Sequence, residues 1–193
     1  MRIIGRAFGI TLGCFLLGTA AGVLAVFVLP GFRDLVLGLI QARVLAPIRA
    51  VSAFGRLAVI LLVFANNSIP VMLSFLYPFL ITKVRWTPPL TFRQRRYLLS
   101  TFTAVTSFMI GFFSLGAALA VEWLSAGANG VLFLLSSASV HGPLEFALVL
   151  VCVAEPLRLA GFADDSTSMR MLRDDLKLLL FSILGLFVSA SIE

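Results

Sequence analysis

Charge is the scarcest commodity in this chain. Only 12% of its 193 residues are Asp, Glu, Lys or Arg, while 60% are apolar and mean hydropathy is +1.07. A water-soluble domain carries roughly 25% charged residues. Half of that cannot cover a globule, which excludes a soluble enzyme, a nucleic-acid-binding domain and a disordered tail. Histidine is nearly missing too: His141 stands alone. A metal site using His141 and Glu145 at i, i+4 would find no second imidazole. A membrane serine hydrolase would have only His141 as its base, and no Gly-x-Ser-x-Gly setting occurs. The two cysteines, Cys14 and Cys152, sit inside apolar runs and imply neither a disulfide framework nor a zinc site. No glycine-rich stretch ends in Lys-Ser or Lys-Thr, so there is no nucleotide loop. The sequence therefore predicts no enzyme, no metal and no cofactor.

What the sequence does have is long apolar runs, and the solvent they call for is lipid. Roughly 20 apolar residues cross a bilayer as a helix. The net charge of +6 and pI near 10.4 then reflect Arg and Lys flanking membrane spans. A first span is expected over about 7–29, too long for the roughly 7–15-residue core of a signal peptide. Its Gly9/Gly13 and Gly18/Gly22 pairs have the small-xxx-small spacing that lets another helix come close. Residues 31–56 are interrupted by Pro30-Gly31, by Pro47 and by four arginines. Two short interfacial helices are expected there, the second running straight into the next span. Arg49, Arg56 and Asn67 would then lie within about 20° of one another on a continuous helix.

A second span is expected over about 57–82, with Asn66-Asn67-Ser68 near mid-membrane and Pro70 freeing the carbonyl of Asn66. A third covers about 98–121 and ends at the interfacial pair Glu122-Trp123. Asn129-Gly130 is a break signal, and the short run after it suits a re-entrant segment over 129–140. A fourth span covers about 143–161 and a marginal fifth about 178–192. With five spans, eleven basic residues fall on the cytoplasmic side and four outside; with six, seven oppose eight. Five spans with the N-terminus in the cytoplasm of a cell-membrane protein follow. The predicted fold is an all-α polytopic membrane protein forming a single domain.

The fourth span concentrates the polar groups. Counting from His141 at about 100° per residue, Glu145 lies at about 40°, Cys152 at about 20° and Glu155 at about −40°. Ionisable groups in a span are costly and face protein or a water-filled cavity. Structural roles stand beside chemical ones. Glu155 and Arg158 are spaced to neutralise each other, and Glu145 in a first turn suits the positive helix end. Asn66 and Asn67 serve as interhelical glue, while His141 orders a turn.

Several of these residues form a pattern. Phe64-Ala65-Asn66-Asn67, Asn129-Gly130, His141-Gly142-Pro143-Leu144-Glu145 and Leu157-Arg158-Leu159 resemble the stage II sporulation protein M family of integral membrane proteins, over about residues 57–161. That family shows an Asn in a mid-chain span, an Asn-Gly before a loop, then His-Gly-x-x-Glu and Gly-Leu-Arg-Leu-Gly. The resemblance implies a bundle of about five spans and a scaffold that holds other proteins, such as cell-wall hydrolases, in a membrane complex. The partners expected are the lipid bilayer, other membrane proteins or a second copy of the chain, and no nucleic acid. The competing expectation is a small transporter or channel with a polar path through Asn66, Asn67, His141, Glu145 and Glu155.

Overall fold

The computed structural model describes residues 2–83, 89–138, 142–160 and 168–192, and these are helical throughout apart from short connections, with no strand among them. The elements are α1 (Arg2–Val28), α2 (Phe32–Ile40), a π-turn (Gln41–Leu45), α3 (Ala46–Ser52), α4 (Arg56–Lys83), α5 (Phe92–Ile110), a second π-turn (Gly111–Ala117), α6 (Ala118–Ala138), α7 (Gly142–Ala160) and α8 (Ser168–Ile192). Four stretches of the described residues are long and apolar enough to cross a membrane: Gly5–Val28, Phe32–Ser52, Arg56–Ile81 and Phe92–Ser136. A shorter apolar stretch is Lys177–Ser189. The chain is an all-α membrane protein.

Its surface and interior are reversed relative to a water-soluble globule. Large apolar side chains such as Leu17, Leu24, Phe133, Phe181 and Leu184 stand exposed, while Thr11, Ser68, Ser74, Thr103, Ser107, Ser182 and Ser189 are buried. In water such an apolar exterior would be a patch demanding a partner; in lipid it is the solvated face. Several of the small buried hydroxyls are satisfied within their own helices. Thr11 donates to Ala7 O at 2.9 Å, Ser68 to Phe64 O at 2.7 Å and Ser74 to Pro70 O at 2.7 Å. Each is an i−4 carbonyl, the acceptor a Ser or Thr reaches most easily on a helix.

Three apolar clusters hold the bundle. Val26, Val36, Ala117, Ala120 and Val121 join α1, α2 and the start of α6. Val71, Leu148, Val149, Cys152, Val153 and Leu186 join α4, α7 and α8. Ile81, Leu99 and Ala160 join the C-terminal end of α4, the N-terminal end of α5 and the C-terminal end of α7. Aromatic pairs add to these contacts: Phe15 with Phe146 at 5.7 Å, Phe64 with Phe187 at 5.5 Å, and Tyr77 stacked on Phe102 at 4.3 Å.

The tightest packing is between α1 and the end of α5 with its π-turn. A Cβ on Gly18 or Gly22 would run into the carbonyls of Phe108 and Phe112. A Cβ on Gly111 or Gly116 would run into those of Phe15 and Thr19. The two backbones thus touch through glycines on both sides. Gly9 and Gly13 have open space around them, so only one of the two small-residue pairs of α1 serves this crossing. Gly111 and Gly116 are five apart, which in an α-helix would splay them to different faces. The i→i+5 bonding of a π-turn widens the turn and brings residues five apart nearly into line.

The structure corrects three expectations about the chain's path. Residues 32–52 contain two short helices, α2 and α3, as expected, and the π-turn Gln41–Leu45 joins them without a break. This stretch does not run straight into α4. Gly55, with φ of 95°, breaks the chain between Ser52 and Arg56, a conformation glycine adopts without the Cβ penalty. The break resets the helical phase, so Arg49 does not share a face with Arg56 and Asn67. The third helix starts at Phe92 instead of about 98, because Thr91 closes a capping box with Gln94, and it continues past Glu122-Trp123. The bend lies at Gly127 (φ 60°, ψ −147°), while Asn129 and Gly130 are themselves helical. Residues 139 and 140, the end of the expected re-entrant segment, fall outside the described residues. Arg33 ties α2 to α6 by donating from Nη2 to Ser125 Oγ at 3.2 Å.

Candidate functional site

The polar face of α7 is built from its ends inward. Glu145 occupies the first turn, where the exposed backbone N–H groups favour a carboxylate. Across the bundle, Asn67 of α4 donates from Nδ2 to Glu145 Oε1 at 3.0 Å. This pair is half-buried. Both asparagines were expected to face protein, and only Asn67 does; Asn66 is exposed. Adjacent residues on a helix point about 100° apart, so one neighbouring helix receives one amide.

Two to three turns further along α7 lies a second polar group. Glu155 is 5% exposed. Arg158 Nε reaches both of its carboxylate oxygens at 2.8 Å, and Arg158 Nη2 also bonds Glu155 Oε1. The i, i+3 spacing makes this a pairing within one helix. Pro156 has no N–H and so leaves the carbonyl of Cys152 without its helical donor. Polar bonds to two neighbouring helices fall on the same turn of α7. Thr103 of α5 donates to Val153 O at 3.0 Å, and the Cys152 thiol donates to Ser182 Oγ of α8 at 3.0 Å. Ser107 in turn donates to Thr103 O at 2.7 Å. The wedge of Glu145, Cys152 and Glu155 therefore points into the bundle, and α7 is joined by polar bonds to α4, α5 and α8.

At about 1.5 Å per residue, Glu145 and Glu155 are roughly 15 Å apart along the helix. The intervening layer holds no charged side chain: Val71, Leu148, Val149, Val153 and Leu186 are buried and pack on one another, with the Cys152–Ser182 bond among them. The two polar groups are separate nodes, not a file.

Of the other residues singled out in the sequence, Asn129 is exposed on α6, which packs on α1, α2 and its own π-turn instead of on the α7 face. His141 falls outside the described residues. Among the described residues no three His, Cys, Asp or Glu side chains converge as a metal site requires. Thr103 and Ser182 were not singled out by the sequence. Their signal is faint: a hydroxyl in an apolar helix bonds its own i−4 carbonyl by default, and nothing in the spacing of Thr103 or Ser182 marks a partner on another helix. Comparison with protein-family models, curated proteins and solved structures finds no match for the chain.

Proposed function

We propose that the protein is an integral membrane scaffold, or an accessory subunit of a membrane complex, with its N-terminus in the cytoplasm of a cell membrane. The observation that supports this most is the buried layer between the two polar nodes of α7, which is mostly apolar and holds no charged side chain. A transport path needs polar groups within reach of one another or of water across the bilayer. Here Val71, Leu148, Val149, Val153 and Leu186 separate Asn67–Glu145 from Glu155–Arg158. Each node instead bonds one helix to its neighbour or to itself, as membrane amides and hydroxyls do when they hold a bundle together. This reading agrees with the resemblance to the stage II sporulation protein M family. Affinity purification from native membranes with mass spectrometry should recover a co-purifying membrane protein or a second copy in fixed ratio. Recovery of the chain alone and monomeric would overturn the scaffold reading.

One observation favours the transport reading. Asn66 is exposed beside the half-buried Asn67–Glu145 pair, and Pro70, Pro78 and Pro156 interrupt α4 and α7, as in the broken helices of transporters. Proteoliposomes holding only this chain discriminate. A proton or ion flux abolished by Glu145→Gln would establish transport; no flux above that of empty vesicles supports the scaffold.

A further inference from the structure

The N-terminal end of α5 carries an open recess, with one arginine in its lining, that the scaffold reading leaves unused. It measures about 450 Å³ and is lined by Leu90, Thr91, Arg93, Gln94, Tyr97 and Leu98. The apolar cluster of Ile81, Leu99 and Ala160 lies beside it and marks this as one end of the bundle. The recess lies where the apolar stretch Phe92–Ser136 begins, at the end of a segment able to cross a membrane. Its donors are organised. The capping box uses the Oε1 of Gln94, which accepts from Thr91 N and Thr91 Oγ1, both at 2.9 Å. That fixes the side chain and leaves its NH2 as the available donor. Arg93 lines the cavity, and Arg96 stands one turn further along and is exposed. No acidic residue occurs in the first turn of α5. Tyr97, 69% exposed, offers a hydroxyl beside an apolar ring, the combination favoured at membrane interfaces. Leu90 and Leu98 supply an apolar wall.

We propose that this cavity binds the headgroup of an anionic phospholipid, with Arg93, Gln94 and Tyr97 holding the phosphate and Leu90 and Leu98 flanking the glycerol and upper acyl chains. Two features select this ligand. An exposed arginine in the recess asks for negative charge, and basic recesses at the ends of membrane helices are suited to anionic headgroups. The apolar wall asks for a ligand that continues into hydrocarbon, which a free phosphate does not.

Native mass spectrometry of the full chain in detergent, titrated with phosphatidylglycerol or with phosphatidylcholine of the same acyl chains, tests the proposal. Phosphatidylglycerol should be retained preferentially. Arg93→Gln with Arg96→Gln should weaken its retention about twentyfold. Both arginines are exposed, so the change spares the bundle's interior, whereas Arg95, half-buried on another side of α5, is left in place. Arg43→Gln with Arg49→Gln, which alters the exposed arginines of the stretch before α4, should leave retention unchanged. Inorganic phosphate at millimolar concentration should not displace the lipid. Equal retention of the two lipids, retention unaffected by Arg93→Gln with Arg96→Gln, equal loss in both variants, or displacement by phosphate alone would each overturn the site.

Discussion

Glu155 and Arg158 show what a single residue costs inside this bundle. Replacing Glu155 by Ala withdraws the bidentate acceptor from a guanidinium only 19% exposed. The penalty is the charge left behind more than the bond itself. Glu155→Ala should lower stability by about 1.5–3 kcal/mol, read as thermal unfolding in detergent. The double change with Arg158→Ala should recover part of this; a double variant no more stable than the single one would show that the pair is not the reason for Glu155. The Asn67–Glu145 bond is neutral on one side and half-buried, and a double-mutant cycle with Asn67→Ala and Glu145→Ala should give a coupling of about 0.6–1.7 kcal/mol. Asn66→Ala, at an exposed position, should show no coupling to Glu145. At this scale the sequence was a good guide wherever helical phase alone decides. Glu145, Cys152 and Glu155 lie on the one face of α7 that their spacing requires. It could not say which of two adjacent amides meets α7, because that depends on how α4 is rotated against α7, which the packing of Val71 on Leu148, Val149 and Val153 sets.

At the scale of elements, α1 and α5 are joined by contacts that tolerate no added atom. Gly18→Ala or Gly111→Ala pushes a methyl group into a facing backbone carbonyl, which cannot give way as a side-chain tip can. Each should destabilise by about 1–3 kcal/mol or more, measured by thermal scanning in detergent. Gly9→Ala meets nothing within 4 Å and should be neutral or slightly stabilising, since alanine is the better helix former. The Gly18/Gly22 half of the crossing is visible in the sequence as a spacing of four. The Gly111/Gly116 half is not, because its spacing of five lies on one face only once the π-turn exists. Similarly, Asn129-Gly130 reads as a break by composition, yet the bend falls at Gly127. Gly130 is held in helix against Glu122 and Ala126, where a side chain would collide.

For the whole molecule, composition was decisive: too few charges for water and enough apolar length for lipid lead to an all-α membrane protein without any motif. The number of crossings was less legible, because the arginines of residues 31–56 and the carboxylates of α7 blur the usual contrast between apolar span and polar loop. The cluster of Ile81, Leu99 and Ala160 joins the ends of α4, α5 and α7 at one level of the bundle. Single cysteines placed at Leu90 and at Ser168 should therefore react with an impermeant label from the same side of the membrane, the cytoplasmic one if the eleven-to-four basic distribution sets orientation. Labelling from opposite sides would overturn that topology.

The glycine crossing of α1 and α5 has a thermodynamic consequence as well. A contact made of backbone on backbone immobilises no rotamers, so it is free of the side-chain entropy loss that accompanies ordinary helix packing. Lipid chains offer no hydrophobic drive for helices to associate, and a contact without that entropic penalty is favoured in such a solvent. Its strength should accordingly vary little as the acyl chains or detergent around it are exchanged, while the rotamer-rich Phe15–Phe146 and Phe64–Phe187 contacts loosen first on warming.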